Sequence, residues 1–278
     1  MHIPPISGIV ESMITITTQD LDTLTVSPTI FPDGTIQVWK LPESMLRSET
    51  VVVTWEYEND SEFFVLAQLK TLLDEYDSLA SLSIYYLPYA RQDKDIANDA
   101  TFGLHTFAKL LNSLNFLTIY ILDPHSEIAL SLIKNSTAMF PGGDIANFFL
   151  ESNLDYVCYP DAGAKDKYEK IYNLPSIHAN KLRDPLTGDI LELELIGLDE
   201  PGKRVLIVDD ICDGGATFVR LAKALKEKGA SYVGLYVTYA LMTKGDELLH
   251  NAGIEDIYQA INLRRNKNEQ KAVSSTTV

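Results

Sequence analysis

The chain has 278 residues, 46% of them hydrophobic and 22% charged, with a formal net charge of −16. Such a length and apolar content support one large core or two ordinary ones, and the acidic excess argues against a nucleic-acid partner, which needs a basic face to neutralise phosphates. The two cysteines, Cys158 and Cys212, are too few for a disulfide framework and suit a reducing compartment.

The opening MHIPPISGIVESM has neither a basic region nor a continuous apolar run, so no signal peptide is expected. Short β-type runs then alternate with helical patterns: VVVTW (51–55), FFVLAQLKTLL (63–73), LSIYYL (82–87), FGLHTFAKLLNSL (102–114), FLTIYIL (116–122) and SEIALSLI (126–133). None of these apolar runs reaches bilayer length, so a soluble, cytoplasmic protein without a membrane partner is expected. Pro141-Gly142-Gly143 in FPGGDIANF interrupts the alternation and is read as a domain boundary. The habit resumes with YVCYP (156–160), AKDKYEKIYNL (164–174), VLIVD (205–209), FVRLAKALKEKG (218–229), YVGLYVTYAL (232–241) and DELLHNAG (246–253). Strands alternating with helices imply βαβ units, hence an α/β fold with mostly parallel sheets. Runs without polar alternation, such as VLIV and LSIYYL, suit sheets covered on both faces. NKLRDPLTGDI (180–190) reads as a projecting hairpin or loop. The expected division is a domain over 1–141, a second over 142–265, and a flexible polar tail over 266–278.

The densest chemistry lies in VLIVDDICDGGATF (205–218). Val205 to Val208 read as a central strand with Asp209 and Asp210 at its carboxyl end. Phe218, Leu221, Ala222 and Leu225 recur at helical spacing. The loop between delivers Asp213, Gly214, Gly215, Ala216 and Thr217 to a helix N-terminus, where free N–H groups favour an anion and glycine lets a phosphate approach closely. Three acids beside a phosphate cradle ask for hydroxyl groups and a cation, and a ribose phosphate supplies hydroxyls for Asp209 and Asp210. The plainer reading is an Asp213 cap with two solvated acids. Neither a Walker loop nor a dinucleotide-type GxGxxG is present. Cys212 sits beside acids that raise its pKa, so it reads as a small structural residue rather than a nucleophile.

VDDICDGGAT resembles the ribose-phosphate loop shared by type I phosphoribosyltransferases and ribose-phosphate pyrophosphokinases. Other stretches separate the two. YLPYARQDKD (86–95) resembles an element of the pyrophosphokinases that the transferases lack; it places Arg91, Gln92 and Lys94 beyond a strand end, although alone it is equally a solvated turn. LDPHSE (122–127) is similar to that family's metal-binding Asp-x-His element, through Asp123 and His125. PDAGAKDKY (160–168) resembles its Pro-Asp-Ala-Gly element, whose acid is here Asp161. FPDGTIQV (31–38) looks like the Phe-x-Asp-Gly-Glu element that reaches adenine from a neighbouring subunit. Phe31 and Asp33 match it, Thr35 replaces the glutamate, and alone it is a plain Asp-Gly turn. NKLR (180–183) stands where the family has Lys-Arg-Arg; Lys181 and Arg183 match, and Leu182 replaces the middle arginine. The motifs span about residues 30–220, and the resemblance fades through VTYALMTKG to end near Arg265, so a divergent, C-terminally shortened member is expected.

The resemblance implies two type I phosphoribosyltransferase-like domains and magnesium-dependent transfer of the β,γ-diphosphate of ATP to the 1-hydroxyl of ribose 5-phosphate. It assigns ATP to Phe31, Asp33, Arg91, Gln92 and Lys94, Mg2+ to Asp123, His125 and Asp161, and the acceptor to the 209–217 loop. Lys181 and Arg183 would close over the charge developing at the transferred phosphorus. Family members pair subunits and assemble further, so a homo-oligomer, dimer or hexamer, is implied. The departures at Thr35, Leu182, Ala216 and the C-terminus leave open a larger acceptor that carries ribose 5-phosphate, such as ADP-ribose. A phosphoribosyltransferase would give the YARQD and DPHS elements no role. A non-catalytic regulatory homologue is disfavoured by retention of Asp123, His125, Lys181 and Arg183.

Overall fold

A computed structural model describes residues 14–95, 97, 99–183 and 190–261, and at 142–144, 147, 181–183, 190–193 and 261 the backbone alone. The expected tail over 266–278 and the tip of the 180–190 hairpin lie outside the described residues. The chain divides into two compact units between Phe140 and Pro141.

In the first unit the elements run β1 (Ile14–Thr18), β2 (Thr23–Thr25), β3 (Thr29–Ile30), β4 (Ile36–Gln37), α1 (Glu43–Leu46), β5 (Thr50–Trp55), α2 (Ser61–Glu75), β6 (Leu79–Ile84), α3 (Gly103–Ser113), β7 (Ile119–Leu122), α4 (Glu127–Leu132) and β8 (Ser136–Met139). The sheet order is β2-β1-β5-β6-β7-β8, with β3 and β4 forming a separate hairpin. β5 through β8 pair parallel, while β1 pairs antiparallel with both its neighbours. The three crossovers step one way along the sheet, and right-handed connections then place α2, α3 and α4 on one face. Val65, Leu66, Leu69 and Leu73 of α2, Leu104, Phe107 and Leu111 of α3 and Ala129 of α4 accordingly share one core with Val51, Val53 and Trp55 of β5. This explains the alternation along β5, where Val52 between them is 40% exposed. One face of β5 is therefore partly open to solvent. LSIYYL stops short as a strand: β6 ends at Ile84, and Tyr85 to Leu87 lead out of the ladder. Buried Glu62 accepts from the Trp55 indole N–H at 3.0 Å and from the Glu58 backbone N–H at 2.9 Å, which fixes the turn into α2.

The second unit runs α5 (Gly142–Glu151), β9 (Tyr156–Tyr159), α6 (Ala162–Tyr172), β10 (Ser176–Arg183), β11 (Ile190–Ile196), β12 (Arg204–Cys212), α7 (Ala216–Glu227), β13 (Tyr232–Ala240), α8 (Glu247–Asn251) and β14 (Asp256–Ile261). The Pro-Gly-Gly break is thus the start of a helix, with Pro141 directly before it. Sheet order is β11-β10-β9-β12-β13-β14. All pairs are parallel except β10 with β11, which form the antiparallel hairpin expected over 180–190. Every residue of β13 is buried, as an unbroken apolar run in a doubly covered parallel sheet requires. Among the described residues no helix is long and apolar enough to cross a membrane.

Candidate functional site

Strand order singles out one crevice in the second unit. From β9 the chain crosses through α6 to β10 on one side, whereas β12 crosses through α7 to β13 on the other. The carboxyl ends of β9 and β12 therefore flank a topological switch point, where open α/β sheets take their ligands. The register pairs Val205 with Tyr156 and Ile207 with Cys158; extended by three residues it sets Asp210 level with Asp161. Asp161 caps α6, its carboxylate accepting from the Ala164 N–H at 3.1 Å.

β12 runs through Cys212, four residues beyond the expected end at Val208, because the parallel ladder with β13 continues through Ile211–Tyr239 and Cys212–Ala240. Asp209 and Asp210 consequently sit on the strand itself, and Asp210 is only 6% exposed. The Asp210 N–H donates to the Asp209 carboxylate at 2.9 Å. Burial above all, then the neighbouring Asp210 charge and, more weakly, Asp161, hold the Asp209 pKa well above the ordinary carboxylate range. Burial, aided by Asp209 and Asp213, pushes the Cys212 thiol up to about 12. That residue is a buried structural thiol, with burial rather than the neighbouring acids as the first cause.

At the start of α7, Gly215 lies in the left-handed region, φ 75° and ψ 0°, with no side chain capping the helix and no acid in its first turn. Its N-terminal N–H groups and dipole therefore face outward for an anion. The loop is braced from the segment after β13. Leu241 and Met242 N–H groups donate to the Cys212 carbonyl at 2.9 and 3.1 Å, and the Thr243 N–H donates to the Asp213 carbonyl at 3.1 Å. The Thr243 hydroxyl also donates to the Asp213 carboxylate at 2.7 Å. Sequence reasoning passed over Thr243 and Lys244. The one signal for them is position, since both follow a parallel strand out of the same sheet edge as the 209–217 loop.

β10 pairs with β9 through Ser176, Ile177 and His178 and then continues to Arg183. At about 3.3 Å per residue, the Lys181 and Arg183 backbones stand roughly 10 and 17 Å past that last pair, on the same carboxyl edge as Asp161 and Asp209. Asp161, Lys181, Arg183 and the 209–217 loop thus share one sheet edge.

The first unit gathers its own candidates at the corresponding edge. Arg91, Gln92 and Lys94 follow β6, while Asp123 and His125 follow the adjacent parallel β7. Arg91, Gln92 and Lys94 are exposed. The Gln92 side chain lies across Gly103 so closely that a β-carbon there would stand 2.1 Å from its Oε1; glycine is what admits this approach at the start of α3. Asp123 has φ 42°, is 1% exposed, and its N–H donates to the Met139 carbonyl at 2.7 Å, whereas His125 is exposed. Phe31 and Asp33 stand apart on the β3–β4 hairpin, which Gln68 of α2 pins by accepting from Val38 N–H at 2.9 Å and donating to the Ile36 carbonyl at 2.7 Å. Thr35 donates to Asp33 through its hydroxyl at 2.7 Å and its N–H at 3.0 Å. Those bonds, the hydroxyl first, hold the Asp33 pKa below its ordinary value.

Among the described residues, no group of three or more His, Cys, Asp or Glu side chains is arranged to hold a metal alone. Asp123 in the first unit and Asp161 in the second each offer a carboxylate of the kind magnesium takes, since that ion needs few carboxylates and completes its shell with water and substrate phosphates.

A family model described as "Phosphoribosyl transferase domain" matches residues 165–269. The ribose-phosphate pyrophosphokinase of Saccharolobus solfataricus is 29% identical over 261 residues, covering 90% of this chain and 88% of that one. Its namesake from Sulfurisphaera tokodaii is 28% identical over 242 residues, covering 84% and 83%. Over most of its length, then, the chain is similar to ribose-phosphate pyrophosphokinases. A crystal structure of phosphoribosylpyrophosphate synthetase from Mycobacterium smegmatis superposes with a TM-score of 0.71 at 18% identity, covering 93% of each chain, and shares the two-sheet α/β fold. The pyrophosphokinase resemblance and the α/β architecture expected from the sequence both hold. In this chain the switch-point crevice is where Asp161, Asp209, Asp210 and the glycine loop come together.

Proposed function

We propose that this chain transfers the β,γ-diphosphate of ATP to the 1-hydroxyl of ribose 5-phosphate, releasing AMP. The observation that carries the reading is the second unit's sheet edge. An uncapped helix N-terminus entered through Gly215 adjoins Asp209 and Asp210, with Asp161 level across the switch point. A ribose phosphate meets each part: phosphoryl oxygens the N–H groups of α7, ring hydroxyls the carboxylates.

The acceptor's O1 attacks the β-phosphorus. The bond from that phosphorus to the oxygen bridging it to the α-phosphate breaks, its electron pair leaves on AMP, and the hydroxyl proton passes from O1 to solvent. No protein nucleophile is needed, so the side chains act by positioning and charge. Asp209 and Asp210 orient the sugar, and the loop from Asp213 to Thr217 holds its 5-phosphate. Arg91, Gln92 and Lys94 grip the ATP phosphates, Arg91 as a fork and Lys94 as a point charge, while Phe31 and Asp33 meet the adenine. Lys181 and Arg183 bring positive charge to the transferred phosphoryl oxygens. Asp123, His125 and Asp161 would hold Mg2+, which would supply positive charge to offset that of the phosphates.

The test incubates the full chain with ATP, magnesium and either ribose 5-phosphate or ADP-ribose, and follows AMP and the diphosphorylated product by ion-exchange chromatography. AMP formed in equal amount with 5-phosphoribosyl 1-diphosphate is expected, along with a fall of about 10²–10³ in turnover for Lys181→Ala. AMP release that depends on ADP-ribose but not on ribose 5-phosphate would replace the acceptor, and no AMP with either would overturn the reading.

A further inference from the structure

The turn after β13 carries a cation that neither the motifs nor the family resemblance singled out. Met242 to Gly245 form a tight turn, closed by the Gly245 N–H donating to the Met242 carbonyl at 2.9 Å. Met242 itself is in the left-handed region, φ 47°, and 6% exposed, so the turn is anchored in the core at its start. Thr243 and Lys244 form its tip. Backbone bonds from Leu241, Met242 and Thr243 to Cys212 and Asp213, and the Thr243 hydroxyl bond to the Asp213 carboxylate, clamp that tip onto the glycine loop. Lys244 thereby lies along Gly214: a β-carbon there would be 3.5 Å from both Cδ and Cε of Lys244 and 3.8 Å from Cγ. The ammonium, one bond of about 1.5 Å beyond Cε, stands within about 5 Å of the same point.

We propose that Lys244 is a binding and specificity-determining residue for the phosphoryl group on carbon 5 of the acceptor ribose. The inference rests on reading the 209–217 loop as the acceptor-phosphate cradle and adds a charged group to it. Three independent features carry it. The stem lies against the glycine of the cradle. The turn that presents it is braced by the same strand end that carries Asp209 and Asp210. None of the loop's own residues from Asp209 to Thr217 is basic, so a dianionic ligand arriving there gains a side-chain positive charge from this lysine. An ammonium supplies a point charge that tolerates several phosphate orientations, which suits a group ending either as a monoester or as a pyrophosphate link.

The test compares the unaltered protein with Lys244→Met and Lys244→Arg. Calorimetric titration with ribose 5-phosphate and with ADP-ribose is run beside initial rates with each acceptor. The expected result is about tenfold weaker acceptor binding and about tenfold higher acceptor KM for the methionine variant, with kcat changed less than threefold. KM for ATP should hold, and Lys244→Arg should restore most of the loss. Equal losses for both ligands mean that Lys244 reads the 5-phosphate itself; a larger loss with ADP-ribose means that it reads the linked second phosphate. Acceptor binding within twofold of the unaltered protein, or a loss confined to ATP, would overturn the proposal. If no acceptor yields AMP while the binding loss persists, the transfer reaction is wrong and Lys244 stands. If neither ligand binds the unaltered protein, both readings fall.

Discussion

Gly215 offers the sharpest test of how the cradle is built. Gly215→Ala asks an L-residue to take φ 75° and ψ 0°, which costs about 1–2 kcal/mol in backbone energy alone. The new β-carbon would meet Leu249 Cδ2 at 3.0 Å and Cγ at 3.5 Å. Carbon pairs favour about 3.5–4.0 Å. Leu249 is 1% exposed within the second unit's core, so it must shift by a few tenths of an ångström against packed neighbours. One such overlap falls at the low end of overpacking costs, about 1 kcal/mol. Together these give a destabilisation of about 2–3 kcal/mol, or a melting temperature lower by roughly 5–10 °C for a chain of this size. Thermal melts followed by circular dichroism, with urea titration at 25 °C, measure both quantities. A double-mutant cycle with Leu249→Ala separates the two causes: removing the clashing methyls should leave the backbone cost and return about 1 kcal/mol as coupling. A Gly215→Ala loss under about 0.5 kcal/mol, the range of an ordinary surface substitution, would refute the left-handed geometry. An additive cycle would refute the contact with Leu249.

Two further variants probe the same edge. Asp209 has a raised pKa in the fold, so the stability it contributes is fully present below the ordinary carboxylate range and is lost as pH rises through the raised value. Asp209→Asn keeps an oxygen to accept the Asp210 N–H while removing the charge; its melting temperature should exceed that of the unaltered chain by a margin that widens from pH 4 to pH 8, and parallel curves would contradict the assignment. Thr243→Val removes the hydroxyl bond to Asp213 but keeps the backbone bond beside it. A loss of about 0.5–1.5 kcal/mol in ligand-free stability and a several-fold rise in ribose 5-phosphate KM are expected, and unchanged values for both would show that the clamp does not position the loop.

Strand and helix alternation was legible because apolar runs at strand length and periodicity at helix length are local properties. β5, β7, β9 and β13 and helices α2, α3 and α7 fall where those patterns lie. The short strands β1 and β2 were not singled out: they form by pairing antiparallel with each other, and β1 also with β5. α5 was hidden by Pro141-Gly142-Gly143, which reads as a break yet suits a helix start, where proline's missing N–H carries little penalty. The acids of the cradle were visible, but the extent of the strand that carries Asp209 and Asp210 was not, because the length of β12 is set by its ladder with β13 rather than by its own sequence. Lys244 was invisible for the same reason. Its relation to Gly214 depends on hydrogen bonds between segments about thirty residues apart, and no local pattern encodes them.

A net charge of −16 and a polyanionic acceptor look opposed until distance is taken into account. At physiological ionic strength exposed charges farther apart than about 8 Å are largely screened, so the acids scattered over the surface matter little to a phosphate in the crevice. The groups that matter are close and fixed: the uncapped start of α7, the ammonium of Lys244, and the acids Asp209, Asp210 and Asp161. Asp210 and, more weakly, Asp161 raise the proton affinity of Asp209, a repulsion that hydroxyl donors or a cation relieve. The same side chains therefore favour occupation of the crevice. Specificity follows from their order along β12 and α7, with carboxylates for hydroxyls at the strand end and N–H groups for phosphate at the helix start. A ligand bearing only phosphate satisfies half of this edge, and one bearing only hydroxyls satisfies the other half. A ribose phosphate satisfies both at once.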